Sequence, residues 1–305
     1  MSPMISRDFT ELTDRTTIRL SGPDARPLLQ KLLTVDLDDV GPEQARYGAL
    51  LSPQGKILFD FFIAQKAEGY LLDCAVIQKS DLMQRLSFYR LRANMTIEDM
   101  SSEYTILANF RCNGLNLDLV AGDVDQDGAN LIFCDPRTSN MGLRAFARSG
   151  GMISGNSRSE DEYHSHRISV GAADTVRDLG SNILFPHEAN FDHFRGVDFT
   201  KGCYIGQEVV SRMEHRSTGG RKRIVRISVG SGSLLSGSAV TADQKVIGTI
   251  LSTSVMQGLA LVRLDHVAGA LARRIPLTAA GAEVEVHLPA WADHYLKMIE
   301  QDDLD

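Results

Sequence analysis

Beyond Gly219-Gly220 the pattern of the chain changes. RIVRISVG, KVIGTILSTSV, LALVRLD and EVEVHLP follow one another as short β-type runs parted by turns, with no long helix among them. Upstream of that point strands and helices alternate. This single change of pattern constrains the fold most: an α+β region comes first and a small all-β domain follows it. The expected division is 1–220, then 221–289, then a tail over 290–305 that ends acidic, AWADHYLKMIEQDDLD. No repeat at a fixed period is present, which argues against a solenoid or propeller.

The upstream region opens with TTIRLSGPDARPLLQKLLTVDL, read as a strand from Thr16 to Leu20, a turn at Ser21-Gly22-Pro23, and a helix with Leu28, Leu29, Leu32 and Leu33 at helical spacing. RYGALLSPQGKILFDFFI then gives a hairpin turning at Ser52-Pro53-Gln54-Gly55, with Asp60 on an otherwise apolar strand. GYLLDCAVI is a third strand. SDLMQRLSFYRLRAN is a helix with Ser80 as N-cap and Leu82, Leu86, Tyr89 and Leu91 turned inward. Further strands are expected from Tyr104 to Phe146, with turns at Asn113-Gly114, Asp127-Gly128 and Asp135-Pro136, and the Gly/Ser-rich ARSGGMISGNSRSED reads as a flexible loop.

Hydrophobic residues make up 43% of the 305 and charged residues 23%, the balance of an ordinary globular protein rather than a disordered or membrane-embedded one. No apolar run approaches the roughly 18–20 residues needed to cross a bilayer, and Asp8 and Glu11 sit where a signal peptide needs its apolar stretch. The chain is therefore expected to stay in the compartment where it is made. Cys74, Cys112, Cys134 and Cys203 form no CxxC pair, so neither a zinc site nor a dithiol centre is suggested, and free thiols in a reducing compartment fit best. A formal charge of −7 argues against stable nucleic-acid binding. Residues 201–226 depart from that balance, with seven Lys/Arg against Glu208 and Glu214, so one face can attract anions.

The most information-rich stretch is KGCYIGQE, residues 201–208. Gly202 and Gly206 bracket a tight backbone path, and QEVVSRMEHR after them reads as a short helix with Val209, Val210 and Met213 inward. Cys203 would then lie just before a helix N-terminus and two positions from Lys201, both of which favour thiolate over thiol. The alternative is a small buried filler at a strand-to-helix corner, since free cysteine is among the most buried residue types.

KGCYIGQE resembles the K-G-C-[FY]-x-G-Q-E signature of the YgfZ/IBA57 (CAF17-like) proteins, relatives of the glycine-cleavage T-protein. RLSGPDARPLLQKLLTVDL, YGALLSPQGKILFDFFI and FPHEANFD resemble, in order, the family's opening strand and helix, its hairpin and the segment before the signature, so the likeness spans about residues 12–225. The resemblance implies two intertwined α/β subdomains around a central opening plus a small C-terminal β-barrel. It further implies binding of tetrahydrofolate or a one-carbon derivative, and help in maturing or repairing [4Fe-4S] proteins, among them tRNA-thiolating enzymes. Partners would be folate and iron–sulfur client or assembly proteins, without a membrane. The location would be the cytoplasm of a bacterium or a mitochondrial-matrix-like compartment.

Asp60 matches the T-protein acid near the folate nitrogens; held among Phe59, Phe61 and Phe62, its carboxylate would trade a proton near neutrality, unless the strand turns it to solvent. Glu188 is a pterin-edge candidate with Phe185, Phe191 and Phe194 as walls, which core packing explains equally well. The expected catalytic residues are thus Cys203, Asp60 and Lys201. Asp60, Glu188, Gly202, Tyr204, Gln207, Glu208 and Arg212 are the cofactor-binding set, and Arg167, Arg195, Lys201 and Arg212 are open to a folate tail or an acidic partner. His164 and His166, read as strand neighbours on one side, together with His187, His193 and His215, fall short of a metal site for want of a third and fourth ligand. True T-proteins lack the signature cysteine, so an accessory role is favoured over a folate-dependent aminomethyltransferase or demethylase working through Asp60; a structural adaptor with a vestigial pocket is the third reading.

Overall fold

The computed structural model describes residues 9–110, 120–127, 130–149, 158–215 and 221–292. Cys112, the Asn113-Gly114 turn, Gly128, residues 150–157 of the Gly/Ser-rich stretch, Arg216, Gly219-Gly220 and the tail from 293 lie outside them. The chain divides into two compact units, one formed by 1–163 and 191–207 and the other by 164–190 and 208–305.

In the first unit the two-residue strand β1 (Thr10–Glu11) precedes β2 (Arg15–Ser21), which turns into helix α1 (Ala25–Leu32). Strands β3 (Arg46–Leu51) and β4 (Ile57–Lys66) form the expected hairpin, and the Gly55 amide closes its turn on the Ser52 carbonyl at 2.8 Å. Strand β5 (Gly69–Ala75), helix α2 (Lys79–Arg90) and strand β6 (Thr96–Asp99) complete an antiparallel sheet in the order β3-β4-β5-β2-β6. A second sheet runs β1-β7-β10-β9-β8, from β7 (Tyr104–Asn109), β8 (Val124–Asp127), β9 (Asn130–Cys134) and β10 (Leu143–Arg148).

Strand alternation sorts the first sheet into two chemically distinct faces. Ile18, Leu20, Phe59, Phe61, Ile63, Leu72 and Cys74 point to one side, where Leu29 and Leu32 of α1 and Leu82 and Leu86 of α2 cover them in a single apolar cluster. Each such leucine contributes about 2 kcal/mol by leaving water. The other side carries Arg15, Tyr47, Asp60, Phe62 and Asp73, all away from that cluster. Asp73 is fully buried there: it accepts from Arg15 Nε at 2.6 Å and from Arg144 Nε of β10 at 3.0 Å, so one carboxylate joins the two sheets.

Two expectations for α2 change. Ser80 lies inside the helix, which begins at Lys79 with Gln78 flanking it, and Leu91 adopts a left-handed φ of 43° that ends the helix and turns its side chain to solvent.

The second unit is built on a closed barrel in the order β11-β14-β13-β12-β15-β16, from β11 (Lys222–Val229), β12 (Ala239–Ala242), β13 (Lys245–Ser254), β14 (Gln257–Arg263), β15 (Leu277–Ala279) and β16 (Ala282–His287). DEYHSHRISV forms helix α3 (Glu160–Val170), not a strand, so the spacing of His164 and His166 separates them: His164 is buried and His166 half-exposed. Leu264 and Asp265, the end of the run LALVRLD, open helix α5 (Leu264–Ala272), with Leu264, Val267 and Ala270 packed into the barrel core. Arg167 is structural. Its guanidinium is buried against Asp178 (2.6 Å), the Ala172 carbonyl (3.2 Å) and Ser252 (3.2 Å), which leaves nothing for a folate tail or partner.

Replacing Asp73 with alanine strands two buried guanidinium groups, and a loss of about 3–5 kcal/mol in denaturant unfolding is expected; retention of near-normal stability would show that water reaches Arg15 and Arg144.

Candidate functional site

The KGCYIGQE segment is fastened backbone-first. The Lys201 ammonium is buried and donates to the carbonyl oxygens of Leu33 (2.7 Å) and Val35 (2.5 Å), in the stretch that leaves α1. Between those two acceptors, Thr34 donates through Oγ1 to the Gly196 carbonyl at 2.6 Å, and its own carbonyl accepts from the Asp198 amide at 2.9 Å. Asp198 then accepts from the Thr200 amide and hydroxyl, each at 2.7 Å, and from the Lys201 amide at 3.0 Å, closing the turn into the motif. Burial pushes the Lys201 amine down to about 8, with Asp36, Asp198 and Asp38 opposing that shift.

Past the clamp, Gly202 and Cys203 are exposed, Tyr204 folds back into the protein, and Ile205 packs on the apolar cluster beneath α1 and α2. Burial, then the Asp198 charge, pushes the Tyr204 phenol above its ordinary range. The thiol borders a concavity of about 520 Å³ lined by Gln30, Lys31, Gly202, Cys203, Tyr204 and Ile205. Helix α4 (Gln207–His215) begins four residues past the cysteine, so its first turn does not hold the sulfur, and the Lys201 ammonium is directed into carbonyls. Of the two glycines only Gly206 is conformationally required. Its φ is +81° and an added Cβ would lie 2.6 Å from the Ser52 carbonyl oxygen at the hairpin turn, whereas a Cβ on Gly202 would meet nothing within 4 Å.

Asp60 belongs to the opposite face of the sheet. It is 3% exposed, not turned to solvent, and accepts a 2.9 Å hydrogen bond from Tyr47 Oη. Burial above all, and then the Asp60 charge, pushes the Tyr47 phenol well above its usual range, so the phenol keeps its proton and fixes the carboxylate. Around this pair three guanidinium groups converge on one ring: Arg144 at 4.1 Å, Arg137 at 4.9 Å and Arg15 at 5.7 Å from the Phe62 centroid. Arg137 is paired with Asp135 at 2.8 Å; burial works against its charge, and Asp135 more than offsets this. Phe191 closes on Tyr47 at 4.7 Å. A ligand touching both Asp60 and Cys203 would have to pass round edge strand β3 or the hairpin end, because the sheet lies between them.

Of the other predicted residues, Gln207, Glu208 and Arg212 lie on α4, with Arg212 and Glu208 exposed and 3.9 Å apart. Arg195 is exposed as expected. Glu188 is half-buried in the second unit, where its carboxylate accepts from the Phe185 amide at 2.9 Å. His187 meets Glu214 at 2.8 Å. Sequence reasoning missed Arg15, Tyr47, Asp73, Asp135, Arg137 and Arg144. The signal that marked Asp60, a lone charge in an apolar strand, is equally visible at Asp73 in GYLLDCA, whereas Arg144 shares LRAFAR with Arg148.

Residues 8–109 match the GCVT N-terminal domain and residues 221–294 match the CAF17 C-terminal beta-barrel domain. The crystal structure of glycine cleavage system aminomethyltransferase T from Bartonella henselae shares the fold, with a TM-score of 0.72 over 93% of this chain and 86% of that one at 15% identity. Fold and barrel together define a T-protein-like chain of the CAF17 type. Its sequence goes further. The mitochondrial iron–sulfur cluster assembly factor IBA57 of Homo sapiens is 31% identical over 307 residues, spanning 92% of this chain and 84% of the relative. The Mus musculus factor is 30% identical over 85% of this chain and 78% of its own. The chain belongs to the IBA57 family of iron–sulfur cluster assembly factors.

Gly206→Ala should lower stability by about 2–4 kcal/mol in thermal or denaturant unfolding, while Gly202→Ala should stay within about 0.5 kcal/mol. Equal effects would overturn the assignment of the strained position. The Lys201 shift has a definite sign. Its folded value of about 8 lies below the ordinary 10.5, so between those pH values the unfolded chain holds the extra proton and stability rises with pH. Relative to Lys201→Met, the wild type should therefore gain on the order of 1 kcal/mol from pH 8 to 10.5, after solvent screening; a constant difference would place the amine in water.

Proposed function

We propose that this chain is an accessory factor in maturation or repair of [4Fe-4S] proteins, tRNA-thiolating enzymes among them, and that it presents the Cys203 sulfur to a client or assembly partner while binding tetrahydrofolate or a one-carbon derivative elsewhere in the same unit. The observation that carries the reading is an exposed thiol on a rigidly clamped loop. A cluster or mixed-disulfide partner needs an accessible sulfur, and Cys74 and Cys134 are buried, with burial pushing the Cys74 thiol up to about 12. Lys201 acts in this reading by holding the loop, and Gly202 leaves the approach open.

For folate, the Tyr47–Asp60 pair offers a carboxylate of fixed orientation amid flat aromatic surface, which suits a pterin edge and ring. Tyr204 and Gln207 of the same unit are the further contacts proposed for it, and Glu188, Glu208 and Arg212, which belong to the other unit, are candidates apart from that pocket. The working compartment is the bacterial cytoplasm or the mitochondrial matrix of a eukaryote. Nucleic acid is an unsuitable direct partner for a chain of charge −7. The second reading, a folate-dependent aminomethyltransferase or demethylase, is favoured only by the buried Asp60.

Tetrahydrofolate should raise the melting temperature by several degrees, a shift that Cys203→Ala retains. The same variant should fail to restore [4Fe-4S] enzyme activity in a strain lacking its own relative, and restoration equal to wild type would remove the thiol role. Formation of methylene-tetrahydrofolate from an aminomethyl donor, abolished by Asp60→Asn, would instead establish the transferase.

A further inference from the structure

The helical layer beside the thiol has an outer face that no part of the described protein covers. On α2, Phe88 is 69% exposed, and Leu91, just past its end, is 83% exposed. Arg85 lies three residues before Phe88 on α2, Arg92 follows Leu91 in the turn after the helix, and both are exposed. Single exposed apolar residues are unremarkable, but an aromatic and a leucine between two arginines make an anchor with a charged rim. Among the described residues Arg85, Arg92 and Lys31 of α1 stand in no hydrogen bond or ion pair, in a chain whose total charge is −7. Against a net charge of −7, this strip can attract an acidic surface.

The strip lies one short helix away from the thiol. The segment after α2 meets the start of α1, where the Asn94 amide donates to Asp24 Oδ2 at 2.7 Å and the Asp24 amide to the Asn94 carbonyl at 3.3 Å. Helix α1, eight residues and so roughly 12 Å long, then leads to Gln30 and Lys31, which line the concavity at Cys203. We propose that the outer faces of α1 and α2 dock a protein partner whose contact surface sets carboxylates around an apolar pocket: Phe88 and Leu91 fill the pocket, Arg85, Arg92 and Lys31 meet the carboxylates, and the partner's reactive group is thereby brought over Cys203. This rests on the reading of Cys203 as a thiol presented to a partner. Association should be faster at low salt, as for any charge-steered encounter.

The test uses the full chain in a strain lacking its own relative. Arg85→Glu with Arg92→Glu, and separately Phe88→Ser with Leu91→Ser, should cut restoration of [4Fe-4S] enzyme activity at least tenfold, while melting temperature and the rate of Cys203 alkylation by iodoacetamide stay at wild-type values. Arg85→Gln with Arg92→Gln should give an intermediate loss, and it serves if a charge-reversed chain does not fold. A benzophenone amino acid at position 88 should cross-link to an Asp/Glu-rich segment of one protein, and the cross-link should vanish with Arg85→Glu/Arg92→Glu and in high salt. Helix variants that restore activity fully while Cys203→Ala fails would sink the docking face and leave the thiol reading standing; full restoration by Cys203→Ala as well would sink both. Cross-links to basic or scattered segments, or salt-sensitive sedimentation with phosphatidylserine vesicles, would also overturn it, the latter in favour of a membrane surface.

Discussion

The first unit depends on one buried carboxylate. Asp73 receives Arg15 from its own sheet and Arg144 from the neighbouring one, and Arg144 passes a further hydrogen bond to Tyr163 at 2.9 Å. Charges removed from water this completely are sustained only by full pairing, so the two sheets hold their distance through a contact that tolerates little displacement. The Phe62 ring, with guanidinium groups stacked against it, fills the space left between them. The orientation of Asp60 and Tyr47 follows from this frame.

The same sheet divides the chemistry of the unit. Its helix-bearing face is apolar inside and presents Cys203 outside, while its other face buries carboxylates, guanidinium groups and aromatic rings. Alternation along β4 alone produces the division, since Phe59, Phe61 and Ile63 point one way and Asp60 and Phe62 the other. A carboxylate that orients a ligand and a sulfur that meets a partner are thereby kept from interfering with each other.

Much of this was legible in the sequence, for identifiable reasons. The hairpin at Ser52-Pro53-Gln54-Gly55, α1 and the barrel follow from turn chemistry and periodicity, which are local. Helix α5 was not, because Val262-Arg263-Leu264 carries the strand's alternation across the boundary and neither Gly, Pro nor a capping side chain marks where the strand ends. DEYHSHRISV is mixed in polarity around the helix, so its period is faint. At the site, KGCYIGQE marked itself, but the destination of the Lys201 ammonium did not: its acceptors are backbone carbonyls far upstream, and a carbonyl leaves no trace in residue identity. The Asp73 network was hidden for the same kind of reason, being assembled from three strands distant in sequence.

That anonymity of the Lys201 acceptors has an evolutionary corollary. Every residue at positions 33 and 35 supplies the same oxygen, so these sites can drift to suit the packing of α1 without loosening the anchor, and no compensating change at 201 is called for. The constraint falls on one partner only. Pairwise covariation, the usual statistical trace of a contact between distant positions, has nothing to register here, and the bond that sets the thiol in place would be invisible to it however many related chains were compared.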